Sequence, residues 1–213
     1  MNIILIGTAG SGKDEFFRCL QNCDQRFKRY AFGDPIRLVA RNLRINGVEP
    51  AYSQLYQLFQ MNPPPNLLRK LKELREIPKT DEKDRRLLQE LGTYCREYDD
   101  YIWLRDIRET AQHKDYMCIT DCRRKTELES FPDFISIYID APYAVRIERL
   151  RQRDRSVDEL ALKHKAEQEI ELLKPMCNFT ITNDGTLDEL KVQLEEILSY
   201  SQQYKEGVCS NKG

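Results

Sequence analysis

The sequence has few of the residues that build metal sites and disulfide frameworks. It contains only two histidines, and its seven cysteines form no Cys-x-x-Cys pair. A structural zinc site needs closely spaced cysteine and histidine ligands, so we expect neither a zinc site nor a disulfide framework. The cysteines are instead predicted to be reduced and mostly buried. Cys209, which lies in a polar segment, is predicted to be exposed.

The sequence also lacks long apolar runs and a net charge of either sign. The longest apolar run near the N-terminus is Ile3–Ile6 and the mean hydropathy is −0.66, so neither a membrane span nor a signal peptide is expected. The 34 basic and 35 acidic residues give no overall basic field for a nucleic-acid polymer or an anionic membrane. We therefore expect a cytoplasmic protein, a monomer or a homodimer, whose anion sites are local.

The length and composition fit one α/β domain. The chain has 213 residues, of which 40% are hydrophobic and 32% charged, as in an ordinary globular protein. Short apolar stretches alternate with segments of helical periodicity, and this alternation favours a doubly wound parallel sheet with helices on both faces. The sequence predicts five strands, at residues 2–6, 28–32, 116–120, 134–139 and 179–182.

The segment at residues 51–83 breaks this alternation. Its tyrosines, its Pro63-Pro64-Pro65 run and its dense charge predict one or two exposed helices inserted on the core, with a boundary at the prolines. It is either a solvated face or a mobile substrate lid. We predict a core at 1–44, 84–150 and 174–200, a helical insert at about 45–83, an arginine-rich lid at about 151–173 and a frayed tail at 201–213.

The strongest motif is the glycine-rich segment that follows the first strand. It reads Gly7-Thr8-Ala9-Gly10-Ser11-Gly12-Lys13-Asp14 and matches a phosphate-binding loop, in which a glycine, four residues, a glycine and a lysine join a strand to a helix. Glycines let backbone N–H groups converge on a polyphosphate, the helix N-terminus adds partial positive charge, and Lys13 adds a full charge. A tight turn without a ligand would not require three glycines and a lysine together.

Position 14 departs from the usual pattern, which has serine or threonine to bind magnesium. Asp14 can hold Mg²⁺ directly or through water, but its charge would repel phosphate. Asp121 follows a predicted buried strand, so its carboxylate is expected at the carboxyl edge of the sheet, where ligands bind in such folds. We predict that Asp14 and Asp121 share a hydrated Mg²⁺ that bridges the donor phosphates.

Two groups of arginines are candidates for binding phosphate. Arg123 and Arg124 follow the third strand and form either a phosphate clamp or solvated surface. The second group lies in the helix after the fourth strand and just beyond it: Arg146, Arg149, Arg151, Arg153 and Arg155. Arg146, Arg149 and Arg153 fall on one helical face, which indicates either a solvated face or a lid that neutralises a transferred phosphoryl group.

These segments together resemble the P-loop nucleoside monophosphate kinases, and most of all the deoxynucleoside monophosphate kinases of phages and bacteria. The resemblance extends over nearly the whole chain. In that family the loop often reads Ser-Gly-Lys-Asp, as Ser11 to Asp14 do here. The other similar segments are residues 32–37, 87–93, 120–123, 146–149 and 183–186, together with Arg96, Trp103, His164 and Glu167.

The resemblance implies a role for each matching residue. Residues 7–14 would bind the phosphates of ATP, with Lys13 also taking part in catalysis. The implied acceptor-binding residues are Asp34, Arg37, Gln89, Arg96 and Trp103, with Arg37 and Arg96 on the monophosphate and Asp34 and Gln89 orienting the nucleotide. Arg123 would approach the transferred phosphoryl group, and Arg149 and Arg153 would close on it from the lid. Asn183, Asp184 and Gly185 would pack near the donor adenine.

The activity that the resemblance implies is transfer of the γ-phosphoryl group of ATP to a nucleoside monophosphate, with Mg²⁺. The acceptor phosphate oxygen is already anionic, so no general base is needed, and His164 is interpreted as structural. A kinase of a non-nucleotide phosphate, such as phosphomevalonate, remains an alternative. A nucleotide-dependent switch without transferase activity is another, although the chain has no Asn-Lys-x-Asp segment of the kind that guanine-specific switches use.

Overall fold

The structure is a computed structural model, and it describes residues 1–79, 84–154 and 169–210. The strands are β1 (Ile3–Ile6), β2 (Lys28–Tyr30), β3 (Met117–Cys122), β4 (Ile135–Asp140) and β5 (Phe179–Thr182). The helices are α1 (Lys13–Cys23), α2 (Gly33–Ile45), α3 (Val48–Leu58), α4 (Leu67–Arg75), α5 (Arg85–Tyr98), α6 (Arg105–His113), α7 (Lys125–Glu129), α8 (Tyr143–Asp154) and α9 (Leu187–Ser210), with a short 3₁₀ turn at Lys174–Met176.

The strands of the described chain form one parallel sheet in the order β2-β3-β1-β4-β5. This arrangement confirms the predicted α/β fold with five strands. β1 lies at the centre between β3 and β4, and the strand order reverses there because later strands add on both sides of it. In sheets of this kind, ligands bind at the carboxyl ends of the strands beside such a reversal. At that place β1 continues directly into the glycine-rich segment.

The chain divides into two compact units, one of Met1–Tyr30 with the chain from Asp115 onward, the other of Ala31–Lys114. The first unit contains the sheet. All four residues of β1 are fully buried, and α1 places Phe16 and Leu20 in a core that also contains Leu194 of α9. Burial of these apolar side chains is the main favourable contribution to folding of this unit. It also fixes the start of α1 against the end of β1.

The second unit has a hydrophobic core of its own. Leu55 of α3, Leu71 of α4 and Leu91 of α5 are each fully buried in it. Apolar residues of α4 recur at helical spacing, at Leu67, Leu71 and Leu74, so one face of this charged helix is buried. The structure thus has two helices in the segment where one or two were predicted, but each has a buried face and is not wholly exposed. The predicted boundary at Pro63–Pro65 is confirmed, since it separates α3 from α4.

Some predicted boundaries also differ from the structure. β3 continues through Asp121 to Cys122, so Asp121 belongs to the strand and does not follow it. The last helix continues to Ser210, which makes the prediction of a frayed tail wrong for residues 201–210. Residues such as Gln, Lys and Glu in that stretch have good helix propensity, but the stretch has no apolar periodicity from which a helix could be predicted. No described helix combines the length and the apolar character needed to cross a membrane.

The described cysteine side chains are free thiols. Cys19, Cys95, Cys118 and Cys122 are buried, and Cys23 is exposed. Burial raises the pKa of the Cys95 thiol to about 12, so this thiol stays protonated and unreactive at neutral pH. The prediction of mostly buried, reduced cysteines is confirmed for these residues. The prediction for Cys209 falls on a side chain outside the described ones.

Arg44 of α2 joins three segments of the second unit, and we expect its loss to destabilise that unit. Its guanidinium donates to both carboxylate oxygens of Asp84, at 2.7 and 3.0 Å, and to the carbonyl oxygens of Arg75 and Ile77. Arg44→Ala would leave the carboxylate and both carbonyls without this donor. We expect the free energy of unfolding to fall by about 2–3 kcal/mol.

The fluorescence of Trp103 provides the measurement, because it is the only tryptophan and is 2% exposed in the same unit. Urea unfolding followed at Trp103 should show the loss for Arg44→Ala. Arg41→Ala removes an exposed arginine from the same helix and should change the unfolding midpoint little. Equal effects of the two substitutions would contradict the prediction.

Candidate functional site

The glycine-rich segment forms a loop between β1 and α1, as the sequence predicts. Gly10 (φ 79°) and Gly12 (φ 96°) have left-handed backbone conformations that side chains rarely adopt. There is also no room for side chains at these positions. A Cβ atom at Gly10 would lie 2.7 Å from the Arg146 carbonyl oxygen, and one at Gly12 would overlap the amide of Asn183. The loop conformation and its neighbours therefore both require glycine.

Lys13 places its ammonium group at this loop. Its Nζ donates hydrogen bonds to the carbonyl oxygens of Gly7, at 2.5 Å, and Thr8, at 3.0 Å. Because Lys13 is also the first residue of α1, its charge adds to the partial positive charge of the helix N-terminus. The hydroxyl of Ser11 is fully buried in the same loop and finds no hydrogen-bond partner among the described residues. A buried donor without an acceptor beside a concentrated positive charge is what a phosphate oxygen would satisfy.

Asn183, directly after β5, connects the loop to two other elements. Its side-chain Nδ2 donates to the Ser11 carbonyl oxygen at 2.8 Å, and its backbone N–H donates to the Asp140 carbonyl oxygen at 2.7 Å. Its backbone oxygen and its Oδ1 both accept from the Arg149 guanidinium, at 3.0 and 3.3 Å. All four hydrogen-bonding groups of this buried residue are therefore engaged. The resemblance implied contact with adenine, whereas the described contacts are with the loop, the end of β4 and α8.

Helix α8 brings two of the predicted arginines to this region. Arg149 contacts Asn183, and Arg146 donates from its guanidinium to the Thr8 hydroxyl in the loop. The face of α8 that contains both arginines therefore faces the glycine-rich loop, which Arg146 contacts directly and Arg149 through Asn183. The helical spacing marks Arg146 as a candidate for binding phosphate, but the resemblance gives it no role of its own. Arg153 lies in the last turn of α8 with an exposed side chain.

The two carboxylates predicted to bind magnesium both lie near the loop in the fold. Asp14 is exposed in the first turn of α1, and Asp121 is half-buried in β3. The register pairs Cys122 with Ile6, the last residue of β1, so Asp121 is at the correct edge of the sheet. Carboxylate oxygens suit Mg²⁺. Since the described chain contains no group of three or more acidic, cysteine or histidine side chains placed to hold a metal, water and phosphate oxygens would complete the coordination.

The backbone of the two arginines after β3 is held in a turn by hydrogen bonds. The backbone N–H groups of Arg123 and Arg124 donate to the same carboxylate oxygen of Glu127, at 2.7 and 3.1 Å. Glu127 is buried, so this contact determines how the chain leaves β3 and enters α7. Both arginine side chains are exposed at the carboxyl end of the strand. A role for Arg123 at the transferred phosphoryl group stays a prediction.

A cavity lies beside the segment that follows Asn183. It has a volume of about 570 Å³, and Asp184, Gly185 and Thr186 line it together with the start of α9. The Thr186 backbone N–H donates to Glu189 at 2.6 Å, which lowers the pKa of that carboxyl group and holds the start of α9. Asp184 and Gly185, which are predicted to bind the donor nucleotide, thus line an open cavity, and the residue before them, Asn183, contacts the glycine-rich loop.

The residues predicted to bind an acceptor belong to the second unit. Asp34 and Arg37 form an ion pair at 2.5 Å on the exposed face of α2. Gln89 lines a cavity of about 280 Å³ with Lys70 and Tyr94. Arg96 lies half-buried in the last turn of α5, against Gly92.

Trp103 is placed differently from the prediction. It is 2% exposed, packs in the core of the second unit and donates from its indole N–H to the Gly92 carbonyl oxygen at 3.4 Å. Its described role is packing, and a large aromatic residue in a short sequence motif gave no sign of this burial. His164, Glu167 and Arg155, with most of the predicted lid, lie outside the described residues.

Comparison with known proteins finds local sequence similarity to two kinases and a similar fold in one solved structure. No protein-family model matches the chain. It is 36% identical over 63 residues to the dephospho-CoA kinase of Lactobacillus acidophilus, covering 29% of this chain and 32% of that protein. It is 27% identical over 93 residues to the dephospho-CoA kinase of Wolinella succinogenes, covering 35% and 46%. The chain thus matches about a third to a half of the length of these relatives.

A solved structure resembles most of the chain. The crystal structure of TT1252 from Thermus thermophilus has a TM-score of 0.53 with 18% sequence identity, and the match covers 93% of this chain and 97% of that one. At this identity the match establishes the fold. The chain therefore has the fold of that protein and local sequence similarity to two dephospho-CoA kinases.

Proposed function

We propose that the protein transfers the γ-phosphoryl group of ATP to a nucleoside monophosphate, with Mg²⁺ as cofactor. The observation that carries this proposal is the convergence of cationic side chains on one loop. Lys13 binds loop carbonyls, Arg146 binds the Thr8 hydroxyl, and Arg149 is joined to the loop through Asn183. Phosphoryl transfer consists mainly of positioning and charge neutralisation, and these groups supply both.

The chemistry assigns a part to each element of the site. The loop amides and Lys13 bind the β and γ phosphates, while Arg149 neutralises charge on the phosphoryl group as it moves. An anionic oxygen of the acceptor phosphate forms a bond to the γ phosphorus, and the bond to the β–γ bridging oxygen breaks, which releases ADP. Mg²⁺ held by Asp14 and Asp121 would neutralise charge on the donor phosphates. The resemblance assigns Arg37 and Arg96 to the acceptor phosphate and Arg123 and Arg153 to the transferred group, and these roles stay predictions.

Two features support a transferase over a switch. The arginines come from an element separate from the loop, and a protein that only binds nucleotide has little use for them. In addition, the sequence lacks the Asn-Lys-x-Asp segment of guanine-specific switches. Tight ATP binding without transfer to any acceptor would favour the switch instead.

The local similarity to two dephospho-CoA kinases supports a second candidate, phosphorylation of dephospho-CoA. The acceptor in that reaction is a hydroxyl group, whose proton must leave as the new bond forms. A monophosphate acceptor needs no such proton transfer at neutral pH. The two reactions should therefore differ in the pH dependence of kcat. With the hydroxyl acceptor, kcat should fall as the pH is lowered and the group that accepts the proton becomes protonated.

A coupled assay of ADP release tests the proposal. The full chain is supplied with ATP, Mg²⁺ and one acceptor at a time: the common ribo- and deoxynucleoside monophosphates, dephospho-CoA and phosphomevalonate. We expect kcat/KM for one monophosphate to exceed that for the other acceptors by at least about tenfold, a margin of about 1.4 kcal/mol. A preference for dephospho-CoA or phosphomevalonate would contradict the proposed nucleoside monophosphate acceptor, but it would still support phosphotransferase activity.

A further inference from the structure

Arg146 is a buried cation to which the proposed reaction gives no part beyond its contact with the loop. Its side chain lies in the second turn of α8 and only 6% of the residue is exposed. The guanidinium donates to the Thr8 hydroxyl and lies 5.6 Å from the centroid of the Tyr143 ring. Its Nε–H is buried and has no acceptor among the described residues. The Thr8 hydroxyl and the Tyr143 ring, which it contacts, are both neutral.

The charge of Arg146 is not balanced by a neighbouring carboxylate in the part of the chain that the structure describes. The ion pairs found there involve other arginines and lysines. A guanidinium cannot escape burial by losing a proton, as a lysine or histidine can. Removing such a charge from water without an anionic partner costs free energy, so this side chain reduces the stability of the protein without ligand.

The position of Arg146 is fixed against the phosphate loop. A Cβ atom at Gly10 would meet the Arg146 carbonyl oxygen at 2.7 Å and its Cα at 3.1 Å, so the backbone of α8 packs directly on the loop. The buried hydroxyl of Ser11, which also has no described partner, belongs to the same loop. Two unsatisfied buried donors thus border a loop of the kind that binds phosphate. This packing does not fit a mobile lid arginine.

We propose that Arg146 is a positioning residue and a fixed counter-charge for the polyphosphate chain of the donor nucleotide. It acts through Thr8 and the loop backbone, while the bound anion compensates its buried charge. The inference rests on the proposed function only in taking the ligand to be a nucleoside triphosphate. Because the residue destabilises the free protein and stabilises the complex, its removal should have opposite effects on stability and on affinity.

Inorganic tripolyphosphate is the probe that tests this, since it requires no acceptor and no transfer. Its affinity for the full chain is measured by calorimetry, and the melting temperature is measured with and without it. Arg146→Met keeps much of the side-chain length and removes the charge. We expect a melting temperature about 2–4 °C higher without ligand and a tripolyphosphate Kd about tenfold weaker. Arg146→Lys, which keeps the charge, should restore most of the affinity.

Arg18→Met is the control, because it removes an exposed arginine of α1 that is paired with Glu15 and belongs to neither arginine group. It should change the melting temperature and the Kd little. Arg146→Met with unchanged Kd would overturn the proposal, as would a melting temperature lowered to the same extent with and without tripolyphosphate. Failure of the proposed function would give a different result. None of the acceptors would stimulate ADP release, while tripolyphosphate binding would still depend on Arg146.

Discussion

Replacing Lys13 by alanine is expected to lower kcat/KM for phosphoryl transfer by about 100- to 1,000-fold while leaving the fold intact. The ammonium group is the one full positive charge that the loop itself supplies, and removing a single group that stabilises transition-state charge has effects of this size. In the protein without ligand, Lys13 donates hydrogen bonds to the carbonyl oxygens of Gly7 and Thr8. Their loss should cost about 1 kcal/mol or less of stability.

The measurement is ADP release with the best acceptor, together with far-ultraviolet circular dichroism to establish that the variant is folded. Arg18→Ala is a suitable control, since Arg18 lies on the same helix but is exposed and paired with Glu15. It should retain nearly full activity. A folded and fully active Lys13→Ala variant would refute the assignment of the loop as the donor-phosphate site.

The glycine-rich loop and the sheet could be predicted because both depend on local patterns. Four consecutive apolar residues at Ile3–Ile6 can be fully buried only in a central strand, and the glycines at 10 and 12 are the residues that left-handed backbone requires. The class of the fold then follows from alternation of strands and helices. These features need no knowledge of which distant residues meet.

The contacts that organise the site could not be predicted for the opposite reason. Asn183 reaches Ser11 across 172 positions of the sequence, and Arg146 reaches Thr8 across 138. Nothing in the neighbourhood of Asn183 distinguishes a residue that binds the loop from one that lines a nucleotide pocket. The burial of one face of α4 was missed similarly, because its charged residues are numerous while its few leucines fill the core.

Gly12→Ala is expected to lower the free energy of unfolding by about 2–4 kcal/mol and to reduce transfer by about 100-fold or more. Part of the loss is the left-handed backbone at φ 96°, which costs a residue with a Cβ about 1–2 kcal/mol. The rest is the overlap of the new methyl group with Nδ2 of Asn183, which must move away from the Ser11 carbonyl oxygen. Arg149 then loses its support on Asn183, so the loop and the arginine are displaced together.

Gly47→Ala tests whether backbone strain outside the loop affects activity. Gly47 has φ 99° and ψ −169°, a conformation that is nearly restricted to glycine, and a Cβ there would meet only the Arg75 side chain, at 3.7 Å. It should show a backbone cost of about 1–3 kcal/mol with activity retained. The double variant Gly12→Ala, Asn183→Ala makes room for the methyl group, so it should be more stable than the sum of the single losses indicates, by about 1 kcal/mol. Its activity should stay low, because neither Ser11 nor Arg149 regains its partner. Additive losses of stability in urea unfolding would mean that the methyl group and the amide do not meet, and that Asn183 does not hold the loop.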